Sequence, residues 1–188
     1  MKKTVLMIAL SIGGYLTISA QTFTVLATDP GGDNIDKQLA YSDAKTLSYA
    51  VDASIDSLWF RIESYYAITG DFGYAIGIDG DLDPTNGGPW GGLTNTSMKY
   101  DRKIRILNNS FFPPTYADIE GAMGNMLPGI VHVKLLDSKT IEINVKLSAI
   151  DADGKFNVIA ATKSFDGGSL YDDIPNTGFA TVGSTGAG

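Results

Sequence analysis

Residues 57–65, Ser57-Leu58-Trp59-Phe60-Arg61-Ile62-Glu63-Ser64-Tyr65, alternate strictly between two chemistries. Leu58, Phe60 and Ile62 fall on one side of an extended chain, and Trp59, Arg61 and Glu63 on the other. Successive side chains of a strand point to opposite faces, so this period of two marks a strand with one buried face. The same reading extends outward in both directions. Phe23–Leu26 opens a short strand. Ala44–Asp52 places Leu47, Tyr49 and Val51 together. Phe72–Asp79 sets Phe72, Tyr74, Ile76 and Ile78 against Gly73, Ala75 and Gly77. Lys103–Leu107 is a shorter candidate. Val131–Leu136 and Thr140–Ile150 flank Asp137-Ser138-Lys139 as a hairpin, with Ile141, Ile143, Val145 and Leu147 alternating with polar residues. Phe156–Ser164 closes the series after the Asp151-Ala152-Asp153-Gly154 turn.

About eight to nine strands separated by Gly, Asp and Asn turns predict an all-β, two-layer antiparallel β-sandwich. No stretch carries a convincing amphipathic helix. The best candidate, Tyr116–Met126, contains Gly121 and Gly124 and predicts one or two turns at most.

The chain starts with Lys2-Lys3, followed by an apolar run from Val5 that ends in Ile18-Ser19-Ala20 before Gln21. A basic start, a short apolar segment and a small terminal residue are the marks of a secretory signal peptide. Ser11, Gly13, Gly14 and Thr17 interrupt the run, which makes it a poor membrane span. The expected organisation is a signal peptide over 1–20, a β-sandwich domain over 21–178 and a flexible Gly/Ser/Thr tail or linker over 179–188. The expected location is secreted, at the cell surface or in the periplasm.

Removing twenty residues from 188 leaves 168, enough for one domain with a sizeable core. Losing Lys2 and Lys3 takes the net charge from −7 to −9. That balance disfavours nucleic acid and anionic membrane surfaces, which need clustered Lys and Arg. With no cysteine, thiol catalysis and Cys-based zinc sites are excluded. A single histidine, His132, argues against a Ser-His-Asp triad or a multi-His metal site.

One loop carries concentrated chemistry. Asp79-Gly80-Asp81-Leu82-Asp83-Pro84-Thr85-Asn86 places oxygen ligands Asp79, Asp81, Asp83 and Asn86 at spacings of two, two and three. Calcium takes six to eight oxygens in flexible geometry, and a tight turn brings alternate carboxylates to one point. Trp90 stands where an EF-hand would have its closing Glu, so the motif is not an EF-hand. The readings are a structural Ca²⁺ site or a solvated acidic turn. Asp29-Pro30-Gly31-Gly32-Asp33 is a second acidic segment that pairs in space with a later loop or stays solvated. Asp172-Asp173, near Pro175, is read as a solvated turn or a loop cap.

The Asp29-Pro30 and Asp33 segment, the Leu58–Glu63 strand, the Gly77–Gly87 acidic run, Phe156–Ala160 and Asp172–Gly178 together resemble extracellular bacterial β-sandwich domains. They are similar to family 9 carbohydrate-binding modules and the DOMON-like superfamily, over about Thr22 to Gly178. Such domains bind sugars or haem, or serve as accessory modules, so the resemblance implies a binding role.

Sugar recognition combines apolar contact on an aromatic face with directional hydrogen bonds. The candidate ligand-binding residues are Trp59, Arg61, Glu63 and Trp90, with Tyr65, Tyr66 and Tyr100 in reserve. If Gly73, Ala75 and Gly77 share a face with Trp59, they leave a shallow trough beside it, with Trp90 as a wall. The alternatives are Trp59 in the core and Trp90 as a lid. The expected function is non-catalytic binding of extracellular polysaccharide or cell-surface glycan. The alternative is a structural or adhesive module for a protein partner. Glu63 and Glu120 are the carboxylate pair a glycosidase reading would use, but no catalytic motif accompanies them, and the chain is expected not to be an enzyme.

Overall fold

The computed structural model describes residues 21–33, 40–90, 95, 97–108, 116–127, 129–150, 154–164 and 170–183. The expected signal peptide at 1–20 lies outside the described residues, as do 151–153 of the Asp151–Gly154 turn and 184–188 of the expected tail.

Two antiparallel sheets pack face to face. The strands are β1 (Thr24–Thr28), β2 (Ala44–Asp52), β3 (Ser57–Ser64), β4 (Phe72–Asp79), β5 (Gly88–Pro89), β6 (Lys99–Tyr100), β7 (Arg102–Asn108), β8 (Tyr116–Gly121), β9 (Met126–Leu127), β10 (Val131–Leu135), β11 (Thr140–Lys146), β12 (Phe156–Lys163), β13 (Leu170–Ile174) and β14 (Ala180–Val182). One sheet runs β1-β2-β3-β11-β10. The other runs β13-β12-β4-β7-β8-β9, with β14 also on β12, and β5-β6 form a separate ribbon. The sandwich is the architecture that the alternation predicts, more finely divided, since β5, β6, β9 and β14 are only two or three residues long.

The core lies where the inward rows meet. Leu47, Leu58, Phe60, Ile62, Ile141, Ile143 and Val145 from the first sheet face Tyr74, Ile76, Ile78, Ile104, Ile106, Phe156 and Val158 from the second. Phe60 and Phe156 touch edge to face across the layers, with ring centroids 6.1 Å apart. Burying each such side chain stabilises the fold by roughly 1.5–3 kcal/mol. Asp137 organises the β10–β11 hairpin, its carboxylate accepting the N–H groups of Lys139 and Thr140 at 2.7 and 2.9 Å. Asx-type turns of this kind compete well with continued strand.

Two expectations change. Tyr116–Gly121 is strand β8, not helix, and pairs with β7 from Arg102↔Gly121 to Leu107↔Tyr116. Its outward Asp118 and Glu120 face the cations of β7, a tertiary match that overrides weak local signals. The part of the expected tail that is described does not hang free. Ala180–Val182 pairs with Phe156–Val158, and Val182 is only 2 % exposed.

Strands β4 and β12 are buried along their whole length. One face of each meets the core. The other is covered by a satellite cluster of Ala75, Trp90, Met98, Tyr100, Ile159 and Ala161. Trp90, Met98 and Tyr100, from the connection between β4 and β7, therefore lie over the outside of the second sheet. On the outer face of the first sheet the Phe23 ring lies against Arg61, and no second apolar cluster is found there among the described residues. No described helix is long and apolar enough to cross a membrane.

Candidate functional site: an outer sheet face and two acidic clusters

Register decides where the predicted ligand-binding residues stand. Leu58, Phe60 and Ile62 point into the core, so Trp59, Arg61 and Glu63 occupy the outer face of the five-stranded sheet. Trp59 is half-buried between its cross-strand neighbours Ala50 on β2 and Asn144 on β11. Ala50 on the β2 flank of the indole is itself buried. One row along, Arg61 lies between Ser48 and Glu142. Arg61 Nε donates to Glu142 Oε2 at 2.9 Å, and the guanidinium stacks 3.6 Å from the Phe23 ring centroid. Glu63 accepts from Lys45 Nζ at 2.6 Å and from Thr46 Oγ1 at 3.4 Å. His132, exposed on β10, stands opposite Asn144. The face thus presents Trp59 and the Phe23 ring among amide, guanidinium, imidazole and carboxylate groups.

The expected trough is not on this face. Gly73, Ala75 and Gly77 belong to β4 and point to the outside of the other sheet, on the opposite side of the sandwich from Trp59. Nor is the trough open, because Trp90 fills it. Trp90 is 5 % exposed, its Nε1 donates to Asp173 Oδ1 at 3.1 Å, and its ring meets Tyr100 edge to face at 6.4 Å. The exposed wall expected of Trp90 is corrected to a lid held by packing. Glycine-flanked loops let a large ring settle onto small strand residues, and the apolar area removed from water favours doing so. Of the reserve aromatics, Tyr100 lies buried under the same lid, while Tyr65 donates its hydroxyl to the Asp29 carbonyl at 2.7 Å.

Glu63 and Glu120 stand on opposite outer faces and share no cleft. Glu120 belongs to a charged array that sequence reasoning missed. Lys103 Nζ is 2.7 Å from Glu120 Oε1, Arg105 Nη1 is 3.1 Å from Glu120 Oε2, and Tyr100 donates its hydroxyl to Glu120 Oε1 at 2.9 Å. Arg105 grips Asp118 with two hydrogen bonds of 2.8 and 2.7 Å. Burial opposes the Glu120 charge, but the hydrogen bonds from Lys103 and Tyr100 outweigh it and hold the carboxyl below its ordinary range. The signal was present in Lys103 and Arg105 set two apart and Asp118 and Glu120 likewise, but recognising it requires knowing that β7 and β8 are paired.

The acidic loop after β4 assembles in part. Asp79 and Asp81 come together with Asp101, their nearest carboxylate oxygens all within 4.8 Å of one another. Asp83 does not join them. It turns onto Thr85, accepting from the backbone N–H at 3.0 Å and from Oγ1 at 2.6 Å. Asn86 directs its amide N–H to Asp81 Oδ2 at 2.9 Å. Asp79 is buried and accepts from Asn157 Nδ2 at 2.8 Å, while Asp101 accepts the Gly80 N–H at 2.9 Å. Burial raises the Asp79 carboxyl, with Asp81 and Asp101 adding to it against the Asn157 hydrogen bond. Asp101, from a segment beyond the motif, is the member of this cluster that spacing alone did not reveal.

A second cluster forms where the sheets meet at one edge. Asp29 follows β1, Asp33 lies in the next turn, Asp43 precedes β2, and Asp172 comes from β13 of the other sheet. Their carboxylate oxygens also approach within 4.8 Å. Both clusters offer only hard oxygen donors and are able to hold a metal ion.

No family model, curated protein or solved structure matches the chain.

Proposed function

We propose that this protein is a secreted, non-catalytic binding module whose outer five-stranded face takes extracellular carbohydrate. The observation that carries this reading is the position of Trp59. Its indole is half-buried at the middle of the outer face of the five-stranded sheet, flanked by Ala50 and Asn144, with the Arg61–Glu142 pair one row away. A pyranose laid on the ring meets an apolar surface and finds donors and acceptors at its edge. Trp90 takes no part, because its ring is committed to packing. The likeness to family 9 carbohydrate-binding modules and DOMON-like domains supports the same class of function. Export follows from reading 1–20 as a signal peptide. Calcium at Asp79, Asp81 and Asp101 rigidifies the loop that carries the Trp90 lid.

Retention on a panel of insoluble polysaccharides, measured for the wild type and for Trp59→Ala, tests the proposal. Selective retention by the wild type that the variant loses, with melting temperature kept, supports it. Retention of nothing by the wild type sinks it.

A second reading, docking of a protein partner, is favoured by a different observation. Ile130, Leu135 and Leu136 are exposed beside the edge strand β10. Edge strands and adjoining apolar side chains are common docking elements. Substitution of these three by Ser leaves polysaccharide retention unchanged under the first reading and abolishes partner capture under the second.

A further inference from the structure

We propose that Asp29, Asp33, Asp43 and Asp172 bind a hard divalent cation, with calcium preferred, that ties the two sheets together at their common edge. The proposal is independent of the sugar-binding reading and concerns a different place from the loop after β4.

The first argument is geometric. Four carboxylates from three separate stretches of chain converge so that one oxygen of each lies within 4.8 Å of the others. The second is an orphan. Asp29 is only 4 % exposed, and neither of its carboxylate oxygens receives a hydrogen bond. A buried ionised carboxylate without donors is strongly disfavoured, and three carboxylate neighbours make it worse. No described lysine or arginine forms an ion pair with Asp29, Asp33 or Asp172. A cation in their midst resolves both problems at once.

The other ligands are held in place by their surroundings. Asp43 accepts the Gly32 N–H at 2.9 Å, in a turn where Gly32 has φ +90°. Asp172 accepts the Ala44 N–H at 2.8 Å, and Asp33 accepts from Asn176 Nδ2 at 2.6 Å. Outer hydrogen bonds of this kind orient metal ligands and are part of a working site. The backbone of Asp29 is fixed as well, its N–H donating to the Lys45 carbonyl at 2.9 Å and its carbonyl accepting from Tyr65 at 2.7 Å.

The donor set selects the ion class. With oxygens alone, and neither imidazole nor thiolate, the site disfavours zinc and copper. Four carboxylates exceed what magnesium usually takes from protein, whereas calcium accepts several, with water completing six to eight ligands. The electrostatics agree. Without a cation, burial and then the charges of Asp172 and Asp33 push the Asp29 carboxyl up to about 8, and burial pushes Asp172 up to about 7. The ion's structural task is clear from the topology. Asp29 and Asp43 bracket the β1–β2 connection, while Asp172 sits on the edge strand of the facing sheet. In a chain without cysteine, such a cross-layer tie does what a disulfide does elsewhere.

The test uses the full chain, stripped with chelator and titrated with calcium chloride by calorimetry, alongside thermal melts. The variants are Asp29→Asn, the exposed-ligand variant Asp33→Asn, and a control, Asp81→Asn with Asp101→Asn. The wild type and the control are expected to bind calcium at this site and to melt higher with it. Asp29→Asn and Asp33→Asn are expected to bind at least about tenfold more weakly and to melt no lower than wild type in chelator, since each removes one repelling charge. If circular dichroism shows that Asp29→Asn fails to fold, Asp33→Asn decides alone. The proposal is overturned if the wild type takes up no calcium, if Asp33→Asn binds like wild type, or if only the control loses binding.

Discussion

The Trp90 ring occupies the space that a side chain at position 77 would need: a Cβ placed on Gly77 would stand 2.7 Å from Trp90 Cε3. Strand and lid are therefore fitted to each other, and neither residue changes independently. Gly77→Ala must push a ring that is anchored to Asp173 and packed against Tyr100. We expect it to lower stability by about 1–3 kcal/mol, the usual range for overpacking a well-filled site. Urea unfolding measures this, and a variant as stable as wild type would falsify the packing account of the lid.

The two tryptophans should separate cleanly. Trp90→Ala removes a buried ring and its hydrogen bond and is expected to cost about 3–5 kcal/mol. Trp59→Ala, on the outer face of the five-stranded sheet, is expected to shift stability by less than about 1 kcal/mol while abolishing the polysaccharide retention that the proposed function predicts. Parallel melts and pull-downs of both variants check the contrast. The reverse pattern would exchange their roles.

Glu120 gives a pH prediction with a definite sign. Its folded-state value lies below its ordinary 4.5, because Lys103 and Tyr100 outweigh the effect of burial. The folded protein therefore binds fewer protons there than the unfolded chain. The stabilisation is present above the ordinary value and is lost as pH falls through the lowered one. Glu120→Gln should cost about 1–3 kcal/mol near neutrality, and the gap between variant and wild type should close as the solution is acidified below 4.5. Denaturant titrations across that range provide the check. A gap that stays constant with pH would remove the ion pair from the account.

Truncation after Gly178 tests the placement of the last described strand. The deletion strips β14 from β12 and exposes the pocket that Val182 fills. A loss of at least about 2 kcal/mol is expected from the buried side chain alone. Were the truncated chain as stable as the full one, these residues would behave as the free tail that their composition suggests.

Strands such as β2, β3 and β4 were readable because one apolar row recurs without interruption, as in Leu58, Phe60 and Ile62. Strand β8 was not, since Ile119 is its only large buried apolar residue and its outward carboxylates make sense only beside Lys103 and Arg105. The small residues of β4 allow two readings in sequence, a trough or close packing, and close packing is what the structure shows. Gly73, Ala75 and Gly77 suggest a vacant groove until Trp90, Met98 and Tyr100 are known to pack on that side of the sheet. In the acidic loop after β4, spacing alone identifies two members of the carboxylate cluster, Asp79 and Asp81. Asp101 and Asp172 could not be found that way, because a turn motif carries no information about which remote carboxylate the fold delivers. The Asp29–Asp33 segment was visible as acidic, but its three-dimensional partners were not.

Strand β12 is flanked by β4 on one side and by β13 and β14 in succession on the other, and Tyr41 and Ser42 are bonded to Lys163 and Thr162. Closing the sandwich thus joins stretches more than a hundred residues apart and waits for residues 170–182. Until those residues emerge, the growing polypeptide lacks the flank that would lock it.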